Sequence, residues 1–183
     1  MKKSLMTLMA SAALAIVSIS ASAQNPTVGG AAMYADKTIV ANAVNSPINK
    51  TLVAAVKAAG LVDTLNSPGP FTVFAPTDDA FGKLPAGTVD NLVQPENKAT
   101  LTKILTYHVV PGKITTKELK AWIKKGHGSY VATTVEGGKL TFSEEGGKIK
   151  ITDEKGGSAW IITADVMQSN GVIDVIDAVL MPA

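Results

Sequence analysis

The spacing of apolar residues changes from a helical to an alternating pattern near the middle of the chain. Between residues 36 and 125, apolar positions recur every three or four residues, as they do along amphipathic helices. After residue 129 they alternate with polar positions, as they do in half-buried strands. Glycine pairs at 137–138, 146–147 and 156–157 separate the alternating segments and are typical of hairpin turns. The pattern therefore predicts an α+β domain with helices first and antiparallel strands second.

Individual segments carry boundary signals. Phe71–Ala75 is predicted to be a buried strand that Pro76 ends, and Thr77 is predicted to cap the helix that follows. Asp36 is the predicted cap of an earlier helix. The last segment, 172–180, is apolar on both faces, so we expect it to run through the middle of the fold. The predicted strands of the second half are 129–135, 139–143, 148–153, 159–166 and 172–180.

Three stretches resemble, in the right order, the signatures of one protein family. Phe71–Pro85 (FTVFAPTDDAFGKLP) is similar to the first signature of the fasciclin domain, Tyr107–Pro111 (YHVVP) to its tyrosine-histidine motif, and Asn170–Pro182 (NGVIDVIDAVLMP) to its second signature. The resemblance covers about residues 36 to 182. It implies a fasciclin-like, wedge-shaped antiparallel β-sandwich with several helices packed on its edge.

The first residues have the three regions of an export signal. Lys2 and Lys3 precede an apolar run over residues 5–19, and small residues at 21–23 form a cleavage site. The apolar run is shorter than the ~20 residues of a spanning helix, which argues against a membrane anchor. We therefore expect a secreted or periplasmic protein. Its predicted parts are a signal peptide over 1–23, a flexible mature N-terminus over 24–35 and a fasciclin domain over 36–183.

Composition narrows the chemistry further. The chain has no cysteine, which excludes disulfides and thiol catalysis, and its two histidines lie too far apart in sequence to indicate a metal site. We expect no cofactor and no metal. Without Lys2 and Lys3, 15 lysines balance 15 acidic residues, and arginine is absent. Because bidentate recognition of phosphate and guanine relies on arginine, nucleic acid is not an expected partner. We expect a monomer.

Tyr107 and His108 are the candidate binding residues. In animal members of the fasciclin family the tyrosine-histidine region is implicated in cell adhesion, and the resemblance carries that role to these two positions. The alternative is structural: neighbouring strand residues point to opposite faces, and a histidine beside Val109 and Val110 is more often buried with both ring nitrogens hydrogen-bonded. On the residues alone, we favour the structural role for His108.

Other polar residues have simpler explanations. Asp174 occupies a position where the family commonly has histidine, and we expect an exposed strand end there because isolated acids are rarely buried. Asp177 is expected to accept backbone hydrogen bonds internally. A row of lysines on one helix could bind an acidic polysaccharide, but a solvated helix face is the more ordinary interpretation. Both tryptophans are expected in the core. The lysines are Lys117, Lys120 and Lys124, and the tryptophans are Trp122 and Trp160.

The leading functional hypothesis is a non-enzymatic binding module that mediates cell adhesion or attachment to a surface or matrix. Its expected partner is a cell-surface or matrix protein or a polysaccharide. None of the standard sequence motifs of hydrolases, nucleotide-binding loops or zinc proteases occurs. The alternative is a small-ligand carrier or an enzyme with a pocket near Tyr107 and His108. A third hypothesis is a purely structural envelope protein.

Overall fold

Residues 25–183, which the computed structural model describes, form seven α-helices and seven strands. A single 3-10 turn, Pro95–Asn97, precedes the sixth helix. The helices are α1 (Ile39–Ala43), α2 (Lys50–Ala59), α3 (Val62–Asn66), α4 (Asp78–Gly82), α5 (Thr88–Leu92), α6 (Lys98–Tyr107) and α7 (Thr116–Lys125). The strands are β1 (Phe71–Pro76), β2 (Val109–Pro111), β3 (Ser129–Thr133), β4 (Lys139–Glu145), β5 (Lys148–Thr152), β6 (Ser158–Gln168) and β7 (Gly171–Ile176).

All seven strands belong to one mixed sheet in the order β2-β1-β7-β6-β5-β4-β3. The hairpins β3 to β6 are antiparallel, as the glycine pairs predicted. β1 and β7 pair in parallel, so the prediction of a purely antiparallel architecture was wrong at this pair. Local patterning carries no information on how strands that lie far apart in sequence pair. The α+β class is confirmed.

The sheet bends at β6 and nearly closes on itself. The first residues of β6 pair with β5, and the remainder pairs with β7 through an irregular register between Ile161 and Val166. At the other side, the amide of Val135, just after β3, donates to the carbonyl of Val109 in β2 at 2.8 Å. The two outermost strands therefore meet at one end. The architecture is a nearly closed mixed sheet, and the predicted two-sheet sandwich is not confirmed.

β7 lies in the middle of the sheet, and all six of its residues are buried. This confirms the prediction from its apolar pattern, although the strand ends at Ile176 and not at residue 180. Ile173 and Val175 face a core beneath α2 and α6, whereas Ile176 faces a second core inside the curved sheet. Because successive strand residues point to opposite faces, one strand contributes to both cores.

The two cores have different composition. The helix-side core is mainly aliphatic and joins the helices to β1 and β7. The inner core contains the aromatic residues Phe74, Phe142 and Tyr107, and α7 covers it with Leu119 and Ile123. The rings of Phe74 and Phe142 lie 5.4 Å apart in a tilted arrangement, as aromatic pairs prefer.

Helix caps agree in part with the sequence. The Thr77 hydroxyl accepts a hydrogen bond from the Ala80 amide at 3.1 Å, which confirms the predicted cap of α4. The cap of α1 is Thr38, whose hydroxyl accepts from the Ala41 amide, so the prediction of Asp36 was wrong by two residues. Both residue types cap helices well, so composition could not decide between them.

The segment before α1 is packed against the domain. Val28 and Met33 are buried in the helix-side core, and the Asn25 side chain exchanges two hydrogen bonds with the backbone of Met167 in β6. The prediction of a flexible segment over 24–35, with the domain beginning at residue 36, was therefore wrong from Asn25 onward. Small residues and glycines suggested flexibility, but two apolar side chains anchor the segment. The predicted signal peptide, 1–23, lies outside the described residues.

Asn170, which begins the second signature stretch, joins four segments. Its side-chain oxygen accepts from the Ile39 amide at 2.9 Å, and its side-chain amide donates to the carbonyls of Leu65 and Ser67 at 2.7 and 2.9 Å. Its backbone carbonyl accepts from the Phe71 amide at 3.1 Å. Asn170 is buried and thereby fixes α1, α3 and the start of β1 to β7.

We predict that Asn170→Ala destabilises the fold by on the order of 3 kcal/mol, because it leaves several backbone groups without partners, some of them buried. Denaturant unfolding of the purified protein measures the change. Ser169→Ala, an exposed neighbour, is the control and should stay within about 0.5 kcal/mol. Equal midpoints for Asn170→Ala and the unsubstituted protein would contradict this role.

Candidate functional site

Tyr107 and His108 lie at the junction between α6 and β2. Tyr107 is the last residue of α6, and His108 is its C-cap, so they are not the neighbouring strand residues that the structural interpretation assumed. The expected opposite orientation still holds, because Tyr107 belongs to the inner core and His108 lines a cavity on the helix side. The exposed fractions of the two residues are 0% and 2%. In this conformation neither side chain is available to a partner at the surface.

Tyr107 uses its hydroxyl within the fold. The O–H group donates to the Lys139 carbonyl at 2.7 Å, and its oxygen accepts from the Glu154 amide at 3.1 Å. Burial raises the pKa of the Tyr107 hydroxyl to about 12. Gly138 leaves room for the ring, since a β-carbon at that position would lie 2.6 Å from it. Tyr107 therefore ties α6 to two hairpins of the sheet.

His108 uses both ring nitrogens within the fold. The Leu180 amide can only donate, so Nε2 accepts at 3.0 Å; Nδ1 therefore carries the proton and donates to the Ile104 carbonyl at 2.8 Å. Burial disfavours the charged ring and lowers the pKa of His108 to about 4, from an ordinary value of 6.5. Between about pH 6.5 and about pH 4 the unfolded chain binds a proton that the folded chain does not. His108 therefore lowers the stability of the fold as the pH falls through this range. The neutral ring fastens the C-terminal segment to α6.

Asp174 is fully buried in the centre of the sheet, which corrects the expectation of an exposed strand end. β7 is covered on both faces over its whole length, so no end of it reaches solvent. One carboxylate oxygen accepts from the Asp165 amide at 2.8 Å, and the other, Oδ2, has no hydrogen-bond partner among residues 25–183. Burial raises the pKa of Asp174 to about 7.

Two further carboxylates organise the backbone around β7. The Asp177 carboxylate accepts from the Trp160 amide at 2.8 Å, in agreement with the sequence expectation. Asp153 was not singled out from the sequence. It is buried and accepts from the amides of Gly157 and Met181 at 2.7 and 2.9 Å, which links a hairpin to the C-terminus. An aspartate shortly before a glycine pair is a turn signal that could have identified it.

The lysine row and the tryptophans have mixed surroundings. Lys120 pairs with the Glu144 carboxylate at 3.1 Å and donates to the Gly147 carbonyl, so its charge is already compensated.

Trp122 packs on the inner core beside the Tyr130 ring, as expected. Trp160 instead lies partly exposed, with the Lys150 ammonium 5.7 Å from its ring centre. The expectation that Trp160 is a core residue was wrong.

A cavity of about 70 Å³ lies on the helix side of β1 and β7. Its lining is almost wholly apolar and includes Val28, Leu52, Ile173 and His108, whereas Tyr107 does not reach it. Within the part of the chain that the structure describes, no group of three histidine or acidic residues could hold a metal ion. No helix among residues 25–183 is long and apolar enough to cross a membrane.

The comparisons with known proteins agree on one family. The family model for the fasciclin domain matches residues 48–182. Protein sll1483 of Synechocystis sp. is 47% identical over 169 residues, which are 92% of this chain and 87% of that relative. The cell surface glycolipoprotein MPB83 of Mycobacterium bovis is 35% identical over 166 residues, covering 87% of this chain and 68% of the relative.

A solved structure shows the same fold. The FAS1 domain pair of the insect cell adhesion molecule fasciclin I aligns with a TM-score of 0.71 and 24% sequence identity. The match covers 79% of this chain and 51% of the fasciclin I chain, so this protein spans about half of that two-domain structure.

We predict that His108→Ala destabilises the protein by on the order of 1–3 kcal/mol at neutral pH, because the Leu180 amide and the Ile104 carbonyl lose their partner. Denaturant unfolding measures the change, and binding to any partner should fall only as far as folding does. The control is His127→Asn, which removes the exposed histidine and keeps a residue type tolerated at its positive φ. If His108→Ala keeps its midpoint and loses binding, the structural role is wrong.

Proposed function

The chain belongs to the fasciclin domain family, and on that premise we propose that it is an exported, non-enzymatic binding module that mediates cell adhesion or attachment to a surface or matrix. The proposed partner is a cell-surface or matrix protein or a polysaccharide, bound by a monomer. A relative that shares 35% identity is named a cell surface glycolipoprotein, which supports a location outside the cytoplasm.

The observation that carries the proposal is the internal use of the reactive side chains. His108 has both ring nitrogens bonded to backbone groups, and the Tyr107 hydroxyl both donates and accepts inside the fold. General acid–base or nucleophilic catalysis needs such groups within reach of a substrate. Side chains that are buried and hydrogen-bonded to the backbone stabilise the fold, and through it the conformation of the protein surface. The proposed activity therefore belongs to the outer surface.

We propose an indirect part for Tyr107 and His108 in binding. Together they fix the end of α6 to the hairpin that contains Lys139 and to the C-terminal segment at Leu180. A change at either residue would then alter the surface that these segments form. Direct contact of the two side chains with a partner would require the junction of α6 and β2 to open first.

The alternative function is a small-ligand carrier or an enzyme with a pocket near Tyr107 and His108. The apolar cavity beside His108 is the observation that favours a carrier. Its volume of about 70 Å³ is small, since ligand pockets commonly span ~300–1,000 Å³ and an engineered cavity of ~150 Å³ holds one benzene. A larger ligand would have to separate the helices from the sheet. The small size of the cavity therefore favours the binding-module function over the carrier function.

We predict that the chain is exported and cleaved after Ala23, because residues 1–23 carry the three regions of a signal peptide in order. Intact-mass and N-terminal peptide analysis of the protein recovered from the periplasm or medium should place Gln24 first. The control is a Lys2→Glu and Lys3→Glu variant, which removes the positive region and should accumulate unprocessed inside the cell. Recovery of external protein that retains residues 1–23 would contradict the prediction.

We predict that beads coated with the folded protein bind the envelope or matrix fraction of its own producing cells in a saturable way. Beads coated with Asn170→Ala at a temperature where that variant is unfolded provide the matched control. Treatment of the fraction with protease or with periodate then separates protein partners from polysaccharide partners.

The outcome that contradicts the adhesion proposal is equally specific. If neither fraction binds, and native mass spectrometry of the exported protein shows a bound apolar small molecule, the carrier function replaces it. If neither fraction binds and no molecule is retained, the third hypothesis, a purely structural envelope protein, replaces it.

A further inference from the structure

A chain of polar contacts connects the centre of the sheet to the start of α7. The buried Asp174 carboxylate in β7 accepts from the Asp165 amide, and the Asp165 carboxylate accepts from the amide of Thr116 at 2.7 Å and from the Thr116 hydroxyl. Thr116 is the first residue of α7. The neighbouring strands β6 and β7 are therefore joined to α7, which lies much earlier in the sequence, through two carboxylates.

The middle residue of this chain has an unusual backbone. Asp165 adopts a φ of +55°, and it lies within the irregular part of the pairing between β6 and β7. A non-glycine residue is strained in this region of backbone conformation, so surrounding contacts must hold it there. The bond from its amide to Asp174 and the bonds from its carboxylate to Thr116 supply that support.

Two further polar anchors hold the segment that leads into α7. The Gly112 amide donates to the Pro70 carbonyl at 2.9 Å, and Thr72 makes the second anchor. The buried Thr72 hydroxyl donates to the Gly112 carbonyl at 2.7 Å and accepts from the Ile114 amide at 2.9 Å. Further along, Lys120 joins the middle of α7 to the β4–β5 hairpin, and Leu119 and Ile123 are buried in the inner core. Loss of the Asp165 anchor would therefore loosen the start of the helix first.

Asp174 is the residue in this series of contacts whose hydrogen-bonding capacity is not fully used. Its Oδ2 atom is the one buried side-chain oxygen or nitrogen without a hydrogen-bond partner among residues 25–183. The carboxyl is tolerable when protonated, but an ionised carboxylate needs several donors when buried. It has one donor, the Asp165 amide, and the nearby Asp165 carboxylate repels a second negative charge.

Among residues 25–183, Asp165 is the one charged group that shifts the pKa of Asp174 through its charge, and it raises it. The residue of β1 in register with Asp174 is Phe74, which is uncharged, and β6 contributes Asp165. In the first turn of α7 the charged residues are Lys117 and Glu118; both are exposed, and Glu118 bonds to the Thr115 amide. Ionisation of Asp174 is therefore relieved most readily by admitting water at the β6 irregularity.

We propose that Asp174 is an internal proton switch for α7: the protonated carboxyl keeps the Asp165–Thr116 anchor closed, and ionisation opens it and releases the start of the helix. The device is independent of the proposed adhesion function. Its opening would expose the inner-core surface that Leu119 and Ile123 cover.

The direction of the pH dependence follows from the shifted titration. The ordinary pKa of an aspartate, 3.8, is raised to about 7 at Asp174 by burial. Between these values the unfolded chain has lost a proton that the folded chain keeps, so Asp174 increasingly destabilises the closed state as the pH rises. The closed form is favoured on the acid side of neutrality and the open form on the alkaline side.

Hydrogen–deuterium exchange of the purified protein at about pH 5.5 and about pH 8.5 tests the proposal, after correction for the pH dependence of the chemical exchange rate. We expect the protection of the α7 amides to fall at least about tenfold relative to that of α2, which lies on the other core. Asp174→Asn should abolish the difference. Asp177→Asn, a partly exposed carboxylate at the end of the same strand, should retain it.

Three results would overturn the switch. One is equal relative protection of α7 at both pH values, and another is an unchanged fall in Asp174→Asn. The third is an equal loss of protection in α2, which would indicate global destabilisation. If Asp174→Asn does not fold, carboxyl carbon NMR of the unsubstituted protein decides: titration of Asp174 near neutrality, together with shifts in α7, supports the switch, and titration in the range of an exposed aspartate overturns it.

Discussion

Burial of β7 on both faces is the constraint on which the rest of the structure depends. A strand with helices on one side and a curved sheet on the other has no access to solvent, so polar groups beside it must be satisfied inside the protein. Asn170 just before the strand, Asp174 within it and Asp177 just after it accept from the amides of α1, β6 and β6 respectively. The second signature stretch therefore supplies the side chains that hold α1 and β6 against β7.

Periodicity predicted the second half of the fold well because its strands are neighbours in sequence. Each hairpin from β3 to β6 is closed by a short glycine turn, and the alternation of Leu140 and Phe142 with polar residues is the direct result of one buried face. The parallel pairing of β1 with β7 could not be predicted in this way. Phe71 and Gly171, which lie opposite each other in this pair, are 100 residues apart in the sequence, and no local window spans that separation.

The residues of the candidate site were likewise predicted only in part from the sequence. Apolar neighbours predicted that His108 is buried with both nitrogens bonded, and the structure places it so. The same reasoning failed for Asp174, because the rarity of buried acids says nothing about a particular strand that is covered along its full length. The packing of residues 25–35 was missed for a related reason. Val28 and Met33 anchor the segment, and its glycines concealed them.

The bond between Val135 and Val109 has a consequence for the proposed attachment to a surface, where copies of the protein would lie close together. Unpaired strand edges invite pairing between molecules, and proteins guard against it with short or proline-containing edge strands or by closing the sheet. Here β2 is three residues long and ends at Pro111, and the outer strand β3 is joined to it at one end. Copies concentrated side by side would therefore meet through side chains and loops. Such a layer can become dense without nucleating fibrous aggregates from its sheet edges.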